Sequence, residues 1–537
     1  MLTDQPRTRE ALATRVTPTS HWFTTRRLLA ALWRDRWACA AITVGIAALA
    51  GLLVANAMPR GPVTTNEGLG LMAGGLIVGI IAGFMVRSRW AMLLAPVALT
   101  VTYELERRGT DGPTVDAVRL DSTYGIVAFI LGRGLTAILA FVPLLLGVTY
   151  GMALARRLER NSEYPAPRRL GHYVRRAISG LTTTVVVALA ILIAWPASAP
   201  PVRDANGNTI PGSIAELTTV KLGGHDQWIE IRAANPNNPV LLWLSGGPGQ
   251  SDLAFTRIFF ANLTQDFVVV DWDQRGTGKS YPALDPTSTL TVEQMVADTI
   301  ALTDYLRERF DEEKIYLAGE SWGTILGILA IQQRPDLYYA FIGSGQMVSP
   351  LETDRRIYRD LLTYAAEHGD DSLAKRLREF GEPPYDDVFK RAYIMQQYEK
   401  IETDYDPPEE YIELGESSGI GPWGVLASEY TFLERTSVLR GALDMNAVLY
   451  PQLQRDGGID FRRDVPRLDV PIYLLQGRHE LKARDDLARE WLAQVEAPRK
   501  ELFTIENAGH SAAFEGFREF HRIMTEIVVP ETYPATA

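Results

Sequence analysis

The stretch 314–333, KIYLAGESWGTILGILAIQQ, constrains the chain more than any other. Residues 315–318 are an apolar run of strand type, Gly319-Glu320-Ser321-Trp322-Gly323 fits G-x-S-x-G, and helical apolar spacing starts at Thr324. The spacing predicts a strand, a tight turn and a helix. Glycine two residues either side of the serine lets backbone approach backbone, and the turn lifts the hydroxyl clear of the sheet. It also aims the first N–H groups of the helix at the site. Ser321 is the candidate nucleophile and the Trp322 N–H a candidate oxyanion donor. A second match, Gly415-Glu416-Ser417-Ser418-Gly419, follows Pro407 and Pro408 and runs into Gly-Ile-Gly-Pro-Trp-Gly, which does not open a helix. Context selects Ser321.

A serine hydroxyl is a weak nucleophile at neutral pH and needs a base, which in turn needs an acid to hold its tautomer. Of seven histidines, His510 alone follows a carboxyl-terminal strand on a small-residue loop, Asn507-Ala508-Gly509-His510-Ser511. That is where the base lies when the chain order is serine, acid, histidine. Glu480, closing Gln476-Gly477-Arg478-His479-Glu480 after the penultimate strand, is the candidate acid, and His479 is its neighbour. Asp485 and Asp486 are rivals, but they sit at the start of a helix expected over 485–495, where carboxylates favour the N-terminal dipole. The second oxyanion donor is expected in Ser245-Gly246-Gly247-Pro248-Gly249, after a strand at 240–244, with Gly247 first and Gly246 next.

Gly246-Gly247-Pro248-Gly249, Asp273-Gln274-Arg275-Gly276-Thr277-Gly278-Lys279-Ser280 and Gly319-Glu320-Ser321-Trp322-Gly323 resemble the signature motifs of the prolyl iminopeptidase family. Gly477-Arg478-His479-Glu480 is similar to that family's G-R-Y-D. The resemblance covers residues 215–530 and implies an α/β-hydrolase fold with a helical cap. It also implies removal of amino-terminal residues from short peptides or amides through an acyl-enzyme. Three departures stand out: Ser245 replaces a histidine, Glu480 replaces aspartate, and the cap has no W-x-x-W-E. The Gly-Lys-Ser of 278–280 is not a phosphate loop, because Asp273 occupies the position of its first glycine. A turn after a strand is expected there instead, with Arg275 tethering nearby loops.

At 537 residues the chain is too long for one core. Residues 1–200 carry 21 Arg, no Lys and 11 acidic residues, a net charge of +10, which leaves −21 for the remainder. A basic apolar part joined to an acidic soluble-type part predicts a multi-pass membrane anchor carrying a globular domain, with the bilayer as partner and no nucleic acid. The single cysteine, Cys39, excludes a disulfide framework and a cysteine zinc site. No metal or organic cofactor is expected.

Uncharged apolar runs at 37–58, 69–86, 134–154 and 178–195 are long enough to span a bilayer. The alternative for the first is a signal peptide, since Ala55-Asn56-Ala57 resembles a cleavage site. The run 91–103 is short and contains Pro96. Arginines crowd both the amino terminus and residues 156–176, so the positive-inside rule puts both in the cytoplasm. An even number of spans between them then requires 91–103 to cross. Five spans follow, with the catalytic domain extracytoplasmic. Arg133, between Gly132 and Gly134, is read as the interface end of a span.

The expected organisation is a basic tail (1–36), a transmembrane region (37–197), a linker (198–212), α/β core (213–350), helical cap (351–467) and α/β core again (468–537). The cap carboxylates Glu409, Glu410, Glu413, Glu416, Glu429 and Glu434 are candidate partners for a substrate ammonium. The neighbouring Tyr411, Trp423, Tyr430 and Phe432 are candidate pocket walls. The alternatives are a membrane-bound esterase or lipase-type hydrolase acting on esters, or a non-catalytic membrane protein whose hydrolase-like domain only binds ligand.

Overall fold

In a computed structural model that describes residues 33–116, 118–159, 170–402 and 405–534, the apolar runs of the amino-terminal part are helices. They are α1 (Arg36–Ala57), α2 (Thr65–Val86), α3 (Ala91–Glu106), α4 (Thr123–Phe129), α5 (Leu135–Glu159) and α6 (Leu170–Ala194). Most of the basic tail, with Arg160, Arg168 and Arg169, lies outside the described residues.

Four stretches among the described residues are long and apolar enough to cross a membrane: Arg36–Ala57, Thr65–Val86, Thr123–Glu159 and Tyr173–Ala194. The fifth, α3, is a helix of 16 residues with Pro96 inside it. At 1.5 Å per residue it reaches about 24 Å, short of the ~30 Å hydrocarbon core. The helix that carries the apolar run expected from Gly134 begins earlier, at Thr123. Arg133 does not end it, because Ile130–Gly134 forms a π-helical segment that continues α4 into α5. The guanidinium is satisfied there by donating from Nη2 to the Val115 carbonyl at 2.8 Å.

The described chain divides into two compact units. The first holds the described residues within 1–53, 74–104 and 141–182. Its helices meet through glycine: a Cβ at Gly79 or Gly83 would lie 2.0 or 2.2 Å from the carbonyl oxygens of Leu144 and Val148. On the facing helix, Gly147 and Gly151 press equally closely on Leu76 and Ile80. Two small-xxx-small pairs thus let α2 and α5 pack backbone to backbone, the contact that helices in lipid favour.

The second unit comprises 54–73, 105–140 and 183–537. It is built on an eight-stranded sheet of order β1-β2-β4-β3-β5-β6-β7-β8. The strands are β1 (Ile214–Leu222), β2 (His225–Ala233), β3 (Val240–Leu244), β4 (Val268–Trp272), β5 (Ile315–Glu320), β6 (Tyr338–Ser344), β7 (Ile472–Gly477) and β8 (Lys500–Ile505). β2 pairs antiparallel with β1 and β4, and the remaining pairs are parallel. β3 is apolar at every position because both sheet faces are covered: Leu242 and Leu244 enter one core, Leu241 and Trp243 the other. This is the α/β-hydrolase fold. From β3 the chain passes to β4 on one side and then to β5 on the other, so the strand order switches between β3 and β5. The crevice beyond their carboxyl ends is where such sheets bind ligands. The loop 245–249 and Ser321 both lie there.

Helices α7 (Val292–Phe310) and α8 (Trp322–Gln333) flank β5 in sequence. Between β6 and β7 come α9 (Pro350–His368), α10 (Asp371–Phe380), α11 (Val388–Glu402), α12 (Glu409–Ser417) and α13 (Phe432–Gln454). Their ends follow local chemistry. Ser349 accepts from the Glu352 N–H at the start of α9, and Thr431 with Glu434 forms a capping box on α13. Ile357, Leu361, Leu377, Ile394 and Tyr398 give this insertion a core of its own. After β7 comes α14 (Lys482–Gln494).

The boundary expected at 198–212 does not coincide with the division into units. Residues 54–73 and 105–140 belong with the sheet because a buried polar network holds them there. Asp444 on α13 accepts from Thr114 N (3.0 Å), Thr114 Oγ1 (2.7 Å) and Tyr281 OH (2.5 Å). Arg60 pairs with Asp285 at 2.9 Å, and its carbonyl accepts from Arg440 Nη2 at 2.6 Å. Arg119 reaches Asp387 at 2.9 Å. The segment 198–212 is itself folded, with Asp204 accepting from the N–H groups of Asn206 and Asn208.

Candidate active site

Ser321 sits between β5 and α8 with φ 51° and ψ −114°, a left-handed conformation that side chains rarely adopt. The flanking glycines are obligatory for steric reasons. A Cβ at Gly323 would stand 2.0 Å from the Leu244 carbonyl oxygen, and one at Gly319 would stand 2.8 Å from the Gly323 backbone. The strained serine is held by a hydrogen bond from its N–H to the Ser344 carbonyl at 3.0 Å. Its Oγ lies 3.6 Å from Met347 Sδ.

His510 follows β8, and its Nδ1 is 2.5 Å from Glu480 Oε2. Glu480 Oε1 accepts from the Leu481 N–H at 2.8 Å and lies 3.5 Å from Arg484 Nη1. Burial pushes the Glu480 carboxyl up, but the His510 imidazole and the Arg484 guanidinium outweigh it and hold the group down to about 2. Asp485 pairs with Arg489, and Asp486 with Lys482. His479 stacks on Tyr405 at 4.5 Å.

Two contacts bring the His510 loop to the serine. Ser511 Oγ donates to Glu320 Oε1 at 3.1 Å, and a Cβ at Gly345, next to Ser344, would meet the His510 ring at 2.9 Å. The loop after β3 closes the other side: a Cβ at Gly246 would lie 3.5 Å from Ser321 Cβ. Gly247, next along, has φ 112° and leads through Pro248 to Gly249. Trp322 opens α8, where the first N–H groups have no intrahelical partner, and its indole donates to Gln274 Oε1 at 2.9 Å.

The motif 273–280 braces these loops. Asp273 accepts from the Lys279 N–H at 2.6 Å and from the Ser251 hydroxyl. Arg275, fully buried, pairs with Asp298 at 2.9 Å and donates to the carbonyls of Leu222 and Gly223. Gly276 packs with φ 80° against Met445. Lys279 binds Glu434 at 2.8 Å and lies 4.3 Å from the Trp228 ring centroid. Burial pushes the carboxyl of Asp273 up to about 7, against the hydrogen bonds it accepts from Ser251 and Lys279.

Sequence reasoning missed the roles of Glu320 and Arg484 and, apart from Tyr411 and Trp423, the side chains of the cavity wall. Glu320 Oε2 is buried with no hydrogen-bond partner among the described residues, and burial raises its carboxyl well above the usual range. Arg484 was findable, since it stands four residues after Glu480 on a helical start.

A cavity of about 670 Å³ reaches the site, with Gly247, Pro248, Ser511 and Phe514 in its wall. Tyr411 and Trp423 line it as expected, but Tyr430 and Phe432 do not. None of the six cap carboxylates lines it. Glu429 is buried against Arg257, Glu434 is taken by Lys279 and Glu410 by Arg518, while Glu413 and Glu416 border a different groove. Among the described residues no cluster of His, Cys, Asp and Glu has the arrangement of a metal site.

Residues 240–376 match the family model described as serine aminopeptidase, S33. The probable aminopeptidase YbaC of Bacillus subtilis (strain 168) is 29% identical over 303 residues, 56% of this chain and 93% of that protein. The probable proline iminopeptidase of Leptolyngbya boryana is 29% identical over 105 residues, 20% of this chain and 30% of that protein. Among solved structures, the proline iminopeptidase-related protein of Thermus thermophilus covers 60% of this chain and 100% of its own, at 19% identity and a TM-score of 0.42. The family model and the sequence relatives support an α/β-hydrolase family for residues of the sheet-bearing unit.

Proposed function

We propose that this α/β-hydrolase-fold chain is a membrane-anchored serine hydrolase working by acyl transfer, with Ser321 as nucleophile, His510 as base and Glu480 as its orienting acid. The observation that carries the reading is the His510–Glu480 pair beside a serine held at positive φ on the strand-to-helix turn. A χ1 rotation exchanges the Met347 contact of Ser321 Oγ for His510 Nε2, which takes the proton as Oγ attacks the substrate carbonyl. The oxyanion is met by the N–H groups of Trp322 and Gly247, with Gly246 the alternative. His510 returns its proton to the departing amine or alcohol, and water repeats the cycle on the acyl-enzyme. Each oxyanion donor is worth ~3 kcal/mol of transition-state stabilisation.

The relatives' names favour removal of amino-terminal residues from short peptides or amides. A second reading, an esterase, draws support from the absence of any carboxylate in the cavity wall, since a buried ammonium needs an anionic partner. Four long apolar stretches support anchoring in a cell membrane, and the arginines of 156–176 support an extracytoplasmic catalytic unit.

A fluorophosphonate probe on membranes tests the enzyme reading. Wild type is labelled and Ser321→Ala is not; equal labelling of both refutes it. Alanyl and prolyl anilides assayed beside short esters separate the two substrate classes. Protease shaving of intact cells tests sidedness, with cleavage expected before the membrane is broken.

A further inference from the structure

The cavity beside Gly247 is walled on one side by Thr123, Tyr124 and Val127, the first residues of the apolar stretch Thr123–Glu159. Val438, Leu439, Ala442 and Leu443 of α13 also line it. A charge in the lining comes from Arg391, which is committed to Asp354 and lies 3.4 Å from the centroid of the Tyr450 ring. Lining residues Trp423 and Tyr124 are 66% and 37% exposed, so the cavity meets the surface at two aromatic side chains of the kind that favour a membrane–water boundary. Near the catalytic end, Asn446 donates from Nδ2 to the Pro248 carbonyl at 3.3 Å. Its Oδ1 is buried without a partner, an acceptor left for a ligand's donor. The wall of this space is mostly apolar, with the polar groups Gln250, Ser251, Asn446 and Ser511 among its residues, and it includes the start of a long apolar helix.

We infer that this cavity seats the aliphatic chain of an amphiphilic ester or amide, so that the substrate is a long-chain acyl compound whose carbonyl rests at Ser321. The inference rests on the serine hydrolase reading and adds a substrate class to it. Burying one methylene is worth about a fourfold gain, so four seated methylenes raise kcat/KM about 250-fold.

The full chain, reconstituted in phosphatidylcholine vesicles, is assayed with para-nitrophenyl acetate and para-nitrophenyl decanoate. Wild type prefers decanoate by at least ~100-fold on the same methylene estimate. Val127→Trp and Leu439→Trp, which fill the cavity, bring the decanoate-to-acetate ratio close to one, while Lys375→Gln on the exposed face of α10 leaves it unchanged. A wild-type ratio near one, or a ratio that survives both tryptophans, overturns the inference. Binding of dansylaminoundecanoate to Ser321→Ala keeps the two readings apart. Binding lost at least tenfold on adding Val127→Trp upholds the acyl-chain site even if neither ester is hydrolysed, and binding unaffected by the tryptophan sinks it. Fatty acid released from the vesicle phospholipid, against product from the added ester alone, distinguishes a membrane lipid from a soluble amphiphile as the source of the chain.

Discussion

Glu480→Gln isolates the part of the site that the sequence left least determined. Glu480 faces two donors at once: His510 Nδ1 at 2.5 Å on Oε2, and the Leu481 N–H at 2.8 Å on Oε1, with Arg484 near the same oxygen. A glutamine amide has one acceptor and one donor end. If its oxygen serves Leu481 and Arg484, its NH2 faces Nδ1 and selects the tautomer with the proton on Nε2, which cannot accept from Ser321. If the amide turns over, its NH2 meets the Leu481 N–H and the Arg484 guanidinium, donor against donor. The first orientation disables the base, and the second keeps its tautomer only by setting the NH2 against the Leu481 N–H and the Arg484 guanidinium. The expected loss is ~10³–10⁴ in kcat, equal to about 4–5.5 kcal/mol in the barrier. Turnover of para-nitrophenyl acetate measures it, with thermal unfolding confirming that the variant is folded. A folded Glu480→Gln enzyme retaining more than about a tenth of wild-type kcat refutes the assignment.

Gly323→Ala places a Cβ 2.0 Å from the Leu244 carbonyl oxygen, so β3 and the elbow must separate; a lowered unfolding temperature and loss of fluorophosphonate labelling are expected. Asp273 and Glu230, buried and pushed up to about 7, have folded values above their ordinary ones. Their stabilising contribution is therefore fully present below about pH 4 and is lost as pH rises through about 7, by up to about 1.4 kcal/mol per pH unit for each group. Wild type should gain stability relative to Asp273→Asn between pH 8 and pH 5.5, as read by denaturant unfolding. Glu480 runs the other way: held down at about 2, it stabilises above its ordinary range and the contribution disappears as pH falls through about 2. Asp444→Ala strands Thr114 and Tyr281 as buried donors and should cost ~3–5 kcal/mol, visible as faster proteolysis between residues 105 and 122.

Much of the sheet was legible because its strands are buried on both faces. A run such as Val240–Leu244 has no polar position to blur its ends, and the elbow is pinned by glycines whose Cβ atoms have nowhere to go. The second resemblance motif was equally readable: Arg275 tethers the loops at Leu222 and Gly223 through contacts that its own turn presents. The start of the helix at Thr123 was hidden for a local reason. Gly132-Arg133-Gly134 looks like the polar end of a span, but a π segment absorbs the irregularity and the Val115 carbonyl absorbs the charge.

The cap shows a different kind of limit, because a carboxylate's role depends on which cation the fold brings to it. Glu429 and Glu434 read alike in the sequence, yet one is buried on Arg257 and the other closes a capping box while holding Lys279. Neither partner lies within 100 residues along the chain, so no spacing rule reaches them. Asp444 is the extreme case: it meets Thr114 across 330 residues. None of the six cap carboxylates reaches the cavity beside Gly247, whose wall includes Gln250, Ser511, Asn446, Tyr411 and aliphatic residues of α13. That wall offers a few hydroxyl and amide groups, a large apolar surface and no carboxylate. An ammonium brought into that space would lose its hydration without gaining a counter-ion, whereas an aliphatic chain would lose nothing it needs.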